Sequence, residues 1–463
     1  MAVPRGQVNL SGGRGWLVGW IVAAVLGGAL IGAEPDVVPA LVVGTVGVAA
    51  ILLVVPLAFR DAQPPLSASF VLTWTLVAFV VRAVLGLIIA SWPSAVNFLG
   101  PDAIGYQREA LGLLSAWHGT GLAPALSPGK GGFSIMLAGL YWLTGPHTSG
   151  GVMLNAFLGA ALVPVLADTT YRAAGARAAR YACPLVALLP AFALWSSELL
   201  REAGVCLLMG IMLACAVRLA DRVTARRVFV GTLAAAGLLT FRASVAIVYI
   251  PTLALGVIIA ARHPRRSRSR AAHNLALLVL SAISIWMVVL MYQGGFQADL
   301  RDIENYRSAV SSGAESGFGA GGDVSTPGAA ASFLPVGILR LLLGPFPWDL
   351  RSASQALGLV AAVTSSVLLF WFLRGARGWK ARRGQPTSPG QSVFLIPGCA
   401  LTVLLALVSG NYGLAIRERS QILLVVVPII CLGIARARER ASFAQAPDAR
   451  RGDRWVRTRI GYL

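Results

Sequence analysis

The sequence predicts an all-α fold, a polytopic transmembrane helical bundle of about 12 spans with N and C termini both cytoplasmic. Three observations predict it. The chain of 463 residues is 56% apolar and only 13% charged, with mean hydropathy +0.72, whereas soluble domains keep roughly a quarter of their residues charged. Its apolar residues come in repeated runs that suit a hydrocarbon core of about 30 Å. Its charges sort between alternate connections, as cytoplasmic and outer loops of membrane proteins do.

The first apolar run, 16–33, passes straight into a second, 37–59, so no cleavable leader is expected. The third, 68–91, carries Arg82 well inside it. An outer loop, 92–150, then interrupts the pattern and contains a short apolar piece at 132–144. Spans follow at 151–168, 180–196 and 199–219, the last two joined by Trp195-Ser-Ser-Glu-Leu-Leu-Arg-Glu202. The runs 227–241 and 244–261 meet at Arg242, and 274–293 leads into a second outer loop, 294–353. That loop holds another short piece, 333–343. The last spans are 354–373, 392–410 and 420–435, followed by a basic cytoplasmic tail, 436–463. The two short pieces are too brief to cross comfortably and are read as interfacial helices on the outer face. No Pro/Gly linker divides the chain, so 1–463 is read as one integral membrane domain.

Charge fixes the orientation. With the N-terminus inside, about 28 of the 39 basic residues fall on the inner face and about 10 outside, while about 13 of the 19 acids fall outside. Counting 132–144 as a full span would throw the arginine-rich loops outside, which the bias rejects. The formal charge of +20 therefore marks a cytoplasmic face and anionic headgroups, with no nucleic acid as partner. All basic residues but Lys130 and Lys380 are arginine, which with the abundant Ala, Gly and Val suggests a high-GC bacterial source and a bacterial plasma membrane. The five cysteines lie in apolar runs without metal-ligand spacing and are read as packing residues.

The ionisable residues that remain gather on the outer face. Asp102, in Pro-Asp-Ala-Ile-Gly-Tyr106, could serve as a base or orient an acceptor hydroxyl, or it could cap the helix that follows. Arg108, Glu109 and Lys130 share its loop. Glu198, Arg201 and Glu202 would stand at i, i+3 and i+4 on one helical face at the membrane edge, where ionisable groups are costly and mark function. Arg82 could snorkel outward or reach a phosphate between helices, and Arg242 has the same two readings. Arg340 precedes the rigid aromatic Gly-Pro-Phe-Pro-Trp348. In Asn411-Tyr-Gly-Leu-Ala-Ile-Arg417-Glu-Arg419, two guanidinium forks could hold a phosphate or pyrophosphate, with Glu418 neutralising them in part. No metal motif stands out, so no cofactor is predicted, and a divalent cation is the one the chemistry would allow.

At these residues the chain resembles the GT-C superfamily of polytopic glycosyltransferases, which includes protein O-mannosyltransferases and the lipid A aminoarabinose transferase. Asp102 matches the carboxylate of that family's first long outer loop. GGFSIMLAGLYWLTG and the stretch from Asn155 to Ala203 are similar to the helices that follow it, and Glu198 or Glu202 falls where relatives often carry a second acid. The likeness covers roughly residues 90–260. The chain departs from the pattern in placing its Asp after three spans, in having one acid where many relatives have a pair, and in having no soluble outer domain after the spans. GNYGLAIRERSQILLVVVP is also similar to membrane proteins of exopolysaccharide clusters.

The resemblance implies a transferase that takes a sugar from a polyprenyl-phosphate donor to a lipid or glycan acceptor at the extracytoplasmic face, in cell-envelope glycan or glycolipid synthesis. Asp102, Glu198 and Glu202 would be its catalytic acids. Arg82, Tyr106, Arg108, Glu109, Lys130, Arg201, Arg242, Arg340, Arg417 and Arg419 would bind substrate. The alternatives are a polysaccharide polymerase or ligase using a pyrophosphate-linked donor, a transporter or flippase with twelve spans, and a non-catalytic assembly partner. Against transport, no inverted repeat is visible and the charges collect on one face, away from the midplane.

Overall fold

The computed structural model describes residues 37–59, 66–92, 100–126, 129–220, 223–261, 299–312, 316–318, 322–350, 353–380 and 390–444. The expected spans 16–33 and 274–293 and most of the basic tail lie outside the described residues. Those described form α-helices with no strand, apart from one isolated bridge between Gly317 and Asn411.

The helices are α1 (Val37–Ala58), α2 (Ala68–Ala90), α3 (Asp102–Trp117), α4 (Gly132–Thr144), α5 (Thr148–Ala174), α6 (Ala176–Leu188) and the short α7 (Pro190–Ala193). They continue with α8 (Glu202–Leu219), α9 (Ala225–Ala261), α10 (Leu300–Ser312), α11 (Pro327–Leu343), α12 (Ala353–Lys380), α13 (Ser392–Val408) and α14 (Tyr412–Ala444). Among the described residues seven helices are long and apolar enough to cross a membrane, or eight if α6 and α7, bent by 56°, count as one span. The chain is a helical membrane protein. The two short apolar pieces are helices as expected, α4 and α11, although α11 starts earlier than the apolar run, at a Thr326 hydroxyl that accepts the Ala329 N–H at 3.3 Å.

Burial sorts the helices by position. α5, α8 and α14 are the most enclosed and pack together with α2, α6 and α9. The faces of α5 that meet its neighbours carry Gly150, Gly151, Ala156, Gly159 and Ala160, small residues that let helices approach closely where no water drives them together. α1 and α12 lie at the periphery and expose Val46, Leu53, Val363 and Phe370. Apolar surface of that kind suits hydrocarbon.

α9 is two helices. Arg242 leaves helical geometry at φ −157°, ψ 81°, and the Ala243 N–H donates to the Gly129 carbonyl at 3.0 Å. Gly237 stands against Leu208 while the Tyr249 hydroxyl donates to the neighbouring Met209 carbonyl at 3.1 Å. Both halves therefore lie at one level of α8, and the chain turns back at Arg242, between the runs 227–241 and 244–261.

Two boundaries need correction. Glu198, Arg201 and Glu202 do not share a helical face: α8 begins at Glu202, and 197–201 is an irregular turn after the Pro190 bend. At the other end, Asn411–Arg419 is not a connecting loop. α14 starts at Tyr412, its first turn capped by an Asn411 Oδ1 that accepts the Leu414 N–H at 2.8 Å. The apolar run hides this because Arg417, Glu418 and Arg419 sit inside the helix.

The bundle has two chemically different ends. One carries Arg172 and Arg218 on Asp168, and Arg177 on Glu439. The other collects the start of α3, the 197–202 turn, the break at Arg242 and the start of α14. These four pieces meet.

Candidate functional site

Asp102 is the first residue of α3, after a Pro101 N-cap that makes no side-chain capping bond. Its carboxylate does not cap the helix. It accepts a hydrogen bond from Arg417 Nη1 at 2.8 Å, with the Asp102 side chain 48% exposed and that of Arg417 13%. Arg417 Nε lies 3.2 Å from Oε1 of Glu202, which is 2% exposed, so one guanidinium joins a rim carboxylate to a buried one.

Arg242, carried inward by the break in α9, stands 3.7 Å from the same Glu202 oxygen and forms an ion pair with the fully buried Glu418. Glu418 also accepts from the Ser409 hydroxyl at 2.7 Å. Arg201 lies over the Tyr106 ring at 6.0 Å and donates to the Phe241 carbonyl at 3.4 Å. Three arginines thus interleave with Asp102, Glu202 and Glu418. Buried charges survive when paired, yet the pairing here is incomplete. Arg201 Nε and Arg242 Nε and Nη1 make no hydrogen bond among the described residues. The arginines keep donor capacity for another set of oxygens.

Glu198 is placed by Asn155, whose amide donates to the carbonyls of Glu198 and, at 2.8 Å, of Leu200. Glu198 itself is 4% exposed, and neither carboxyl oxygen has a hydrogen-bond partner among the described residues. A Cβ at residue 100 would fall on Glu198 Oε2, so a side chain there would displace that carboxyl. Burial pushes the Glu198 carboxyl up to about 8; nearby Arg417 opposes the rise and Glu202 adds to it. At neutral pH it holds its proton. Burial likewise pushes the Tyr106 phenol up to about 12, against the pull of Arg201.

Lys130 stands at the mouth, its ammonium 5.6 Å from the centre of the Tyr306 ring. Its pKa is lowered by desolvation and then by Arg201 and Arg242. Glu109 accepts from the Ser134 hydroxyl at 2.5 Å, which ties α3 to α4, and Arg108 is exposed.

No protein-family model and no curated protein matches this chain. Function rests on the cluster alone.

The structure brings together Asp102, Tyr106, Arg201, Glu202, Arg242 and Arg417, with Glu198 beside them and Lys130 at the edge. Three of the arginines expected to bind substrate are engaged elsewhere. The Arg82 guanidinium donates to Ser196 Oγ at 2.7 Å and to the carbonyls of Ala78 (3.1 Å), Ala187 (2.8 Å) and Val186 (3.0 Å). Val186 O would have bonded the N–H that Pro190 lacks, so Arg82 fills the gap left by the bend. Arg340 donates to the Phe318 carbonyl at 3.0 Å and covers that ring. Arg419 binds the last carbonyls of α11, including those of Leu341 and Gly344. It cannot act as a second fork beside Arg417, because residues two apart on a helix point about 200° apart.

Sequence reasoning missed Asn155, and it reduced Glu418 to a partial neutraliser. A lone amide inside GVMLNAFLGA was the available signal, since polar groups at membrane depth need partners. Among the described residues no group of three or more His, Cys, Asp or Glu is placed to hold a metal. Within the cluster Asp102 and Glu202 share Arg417, and Glu202 and Glu418 share Arg242.

Proposed function

We propose that this chain is a GT-C-like membrane glycosyltransferase that moves a sugar from a polyprenyl-phosphate donor to a lipid or glycan acceptor. It does so at the extracytoplasmic face of a bacterial plasma membrane, with about twelve spans and both termini inside. The observation that carries the reading is the bridge made by Arg417 between half-exposed Asp102 and buried Glu202, with Arg242 and Arg201 alongside. A base lies at the rim and cations lie below it.

The acceptor hydroxyl attacks the anomeric carbon as the bond from that carbon to the phosphate oxygen breaks. The hydroxyl proton passes to Asp102, and the electron pair leaves on the lipid phosphate. Negative charge grows there, where preorganised guanidiniums stabilise it best. As the phosphate engages Arg417, Asp102 loses its partner and becomes free to accept a proton. Glu202 and Glu418 hold Arg417 and Arg242 in place. Glu198, neutral at pH 7, keeps a carboxyl proton available to an incoming substrate oxygen. The cell-envelope role follows from the donor class and the face.

A donor linked through pyrophosphate is the second reading, favoured by three arginines where one phosphate needs fewer. A panel of sugars on polyprenyl phosphate and on polyprenyl pyrophosphate, offered to purified protein in lipid, separates the two. Sugar transfer from the monophosphate series supports the first reading. Turnover confined to the pyrophosphate series replaces it with the second, and turnover with neither removes both.

A further inference from the structure

Two independent sets of contacts place Tyr306, on α10, over the charge cluster. One runs through α14. The neighbouring Arg307 is fully buried, lies 4.4 Å from the centre of the Phe333 ring and pairs with Glu304 at 3.2 Å. Its main chain lies against Gly410, where an added Cβ would meet the Arg307 carbonyl. The Asn411 amide donates to the Val310 carbonyl at 3.1 Å. Ser409, one residue before Gly410, bonds Glu418 of the cluster. α10 is thus fastened to the start of α14, and Tyr306 extends from it 41% exposed.

The other set runs through the first outer loop. Gly129 takes φ +68°, and its carbonyl accepts the Ala243 N–H beside the Arg242 break. A Cβ there would strike the Ala243 side chain, so the loop lies flat on the break. That fixes the next residue, Lys130, whose ammonium stands 5.6 Å from the centre of the Tyr306 ring. The two outer loops therefore meet at this ring, across the mouth of the cluster. The Tyr306 phenol feels the same neighbours: desolvation and then Glu418 raise its pKa, and Arg242, Arg201 and Arg417 oppose the rise.

We propose that the Tyr306 ring is the platform on which the sugar of the donor stacks, a positioning residue for transfer. The inference rests on the polyprenyl-phosphate donor reading above.

Position and chemistry select the sugar. The ring stands beside an ammonium and next to buried ion pairs, so a polar ligand meets it there and hydrocarbon does not. In a glycosyl phosphate the sugar ring is bonded directly to the phosphate. A phosphate held by Arg417 and Arg242 leaves that ring at the mouth, where Asp102 and Tyr306 both stand. A pyranose has an apolar face of C–H bonds and a polar rim of hydroxyls. Tyrosine offers a flat, rigid apolar face for the first, and Lys130 and Asp102 offer polar groups for the second.

The test measures binding to purified protein in nanodiscs, with no acceptor present. The probes are glucosyl, galactosyl and mannosyl polyprenyl phosphate, and methyl polyprenyl phosphate, the same phosphodiester with a methyl group in place of the sugar. Wild type is expected to bind at least one glycosyl lipid about 10-fold more tightly than the methyl ester, the worth of one well-formed aromatic contact. Tyr306→Ala should lose that preference while binding the methyl ester as wild type does, which also shows that the arginines remain in place. Tyr306→Phe, which keeps the ring, should keep the preference.

A preference retained in Tyr306→Ala overturns the inference, and so does an equal loss of both kinds of lipid, which would make the residue structural. Loss of the preference in Tyr306→Phe assigns recognition to the hydroxyl and overturns stacking. Equal binding of all four lipids by wild type overturns the inference and leaves the donor reading standing. Binding of none removes the donor reading, and the inference with it.

Discussion

Arg417 is the residue on which the site turns, because among the described residues it alone touches both the rim acid and the buried one. Arg417→Ala is expected to lower turnover at least about 100-fold, the range seen when one preorganised donor to developing charge is removed. Arg417→Lys should not restore it, since an ammonium cannot bond two carboxylates in a fixed fork. Steady-state kinetics with the donor saturating checks both.

Glu198 makes the pH prediction. Its carboxyl titrates at about 8 in the fold against about 4.5 when solvated, so between those values the folded state binds more protons than the unfolded. Its contribution to stability is present below about 4.5 and is lost as pH rises to about 8. Turnover should fall above pH 8 in the wild type. Glu198→Gln keeps a neutral donor and should flatten both profiles, which thermal unfolding and initial rates across pH would show.

At this scale the sequence was informative about which residues carry charge and silent about which pairs form. Asp102 and Arg417 are 315 positions apart, and nothing in a local pattern reports a contact at that separation. The helical phase of Arg417 and Arg419 was readable in principle, but only once α14 is known to begin before them.

Among the elements, the bent pair α6–α7 explains the most. Pro190 breaks the ladder, Arg82 bonds the freed carbonyls, and Asn155 holds the turn that follows. Arg82→Met should destabilise the protein by on the order of 1–3 kcal/mol for each carbonyl left buried and unpaired. Pro190→Ala should recover part of that loss by restoring one N–H to the ladder. Denaturation in mixed micelles measures both. Asn155→Leu should cost a similar amount and reduce turnover as well, because the turn that carries Glu198 and leads into Glu202 loses its anchor. Helix existence was legible from the apolar runs, since membrane helices must satisfy their backbones internally. Helix ends were not. The run 420–435 stops where hydropathy falls, while α14 extends through charged residues that pair with other helices.

For the whole molecule, the sequence reads a membrane protein from its hydropathy, and the seven or eight long apolar helices among the described residues agree with it. The segregation of charge is legible at the same scale. The Arg172–Asp168–Arg218 group stands at one end and the Asp102–Arg417–Glu202 group at the other. Our orientation predicts that cysteines introduced at Leu122 and Trp348 react with an impermeant reagent added outside intact cells, and that one at Glu439 does not. The reverse pattern would turn the site to the cytoplasm.

The most direct test of the central claim compares wild type with Asp102→Asn, in lipid, for donor binding and for release of labelled sugar from polyprenyl phosphate. The cluster as drawn predicts that the mutant still binds the donor, since Arg201, Arg242 and Arg417 remain, and that transfer is lost. Transfer at the wild-type rate by Asp102→Asn would contradict it.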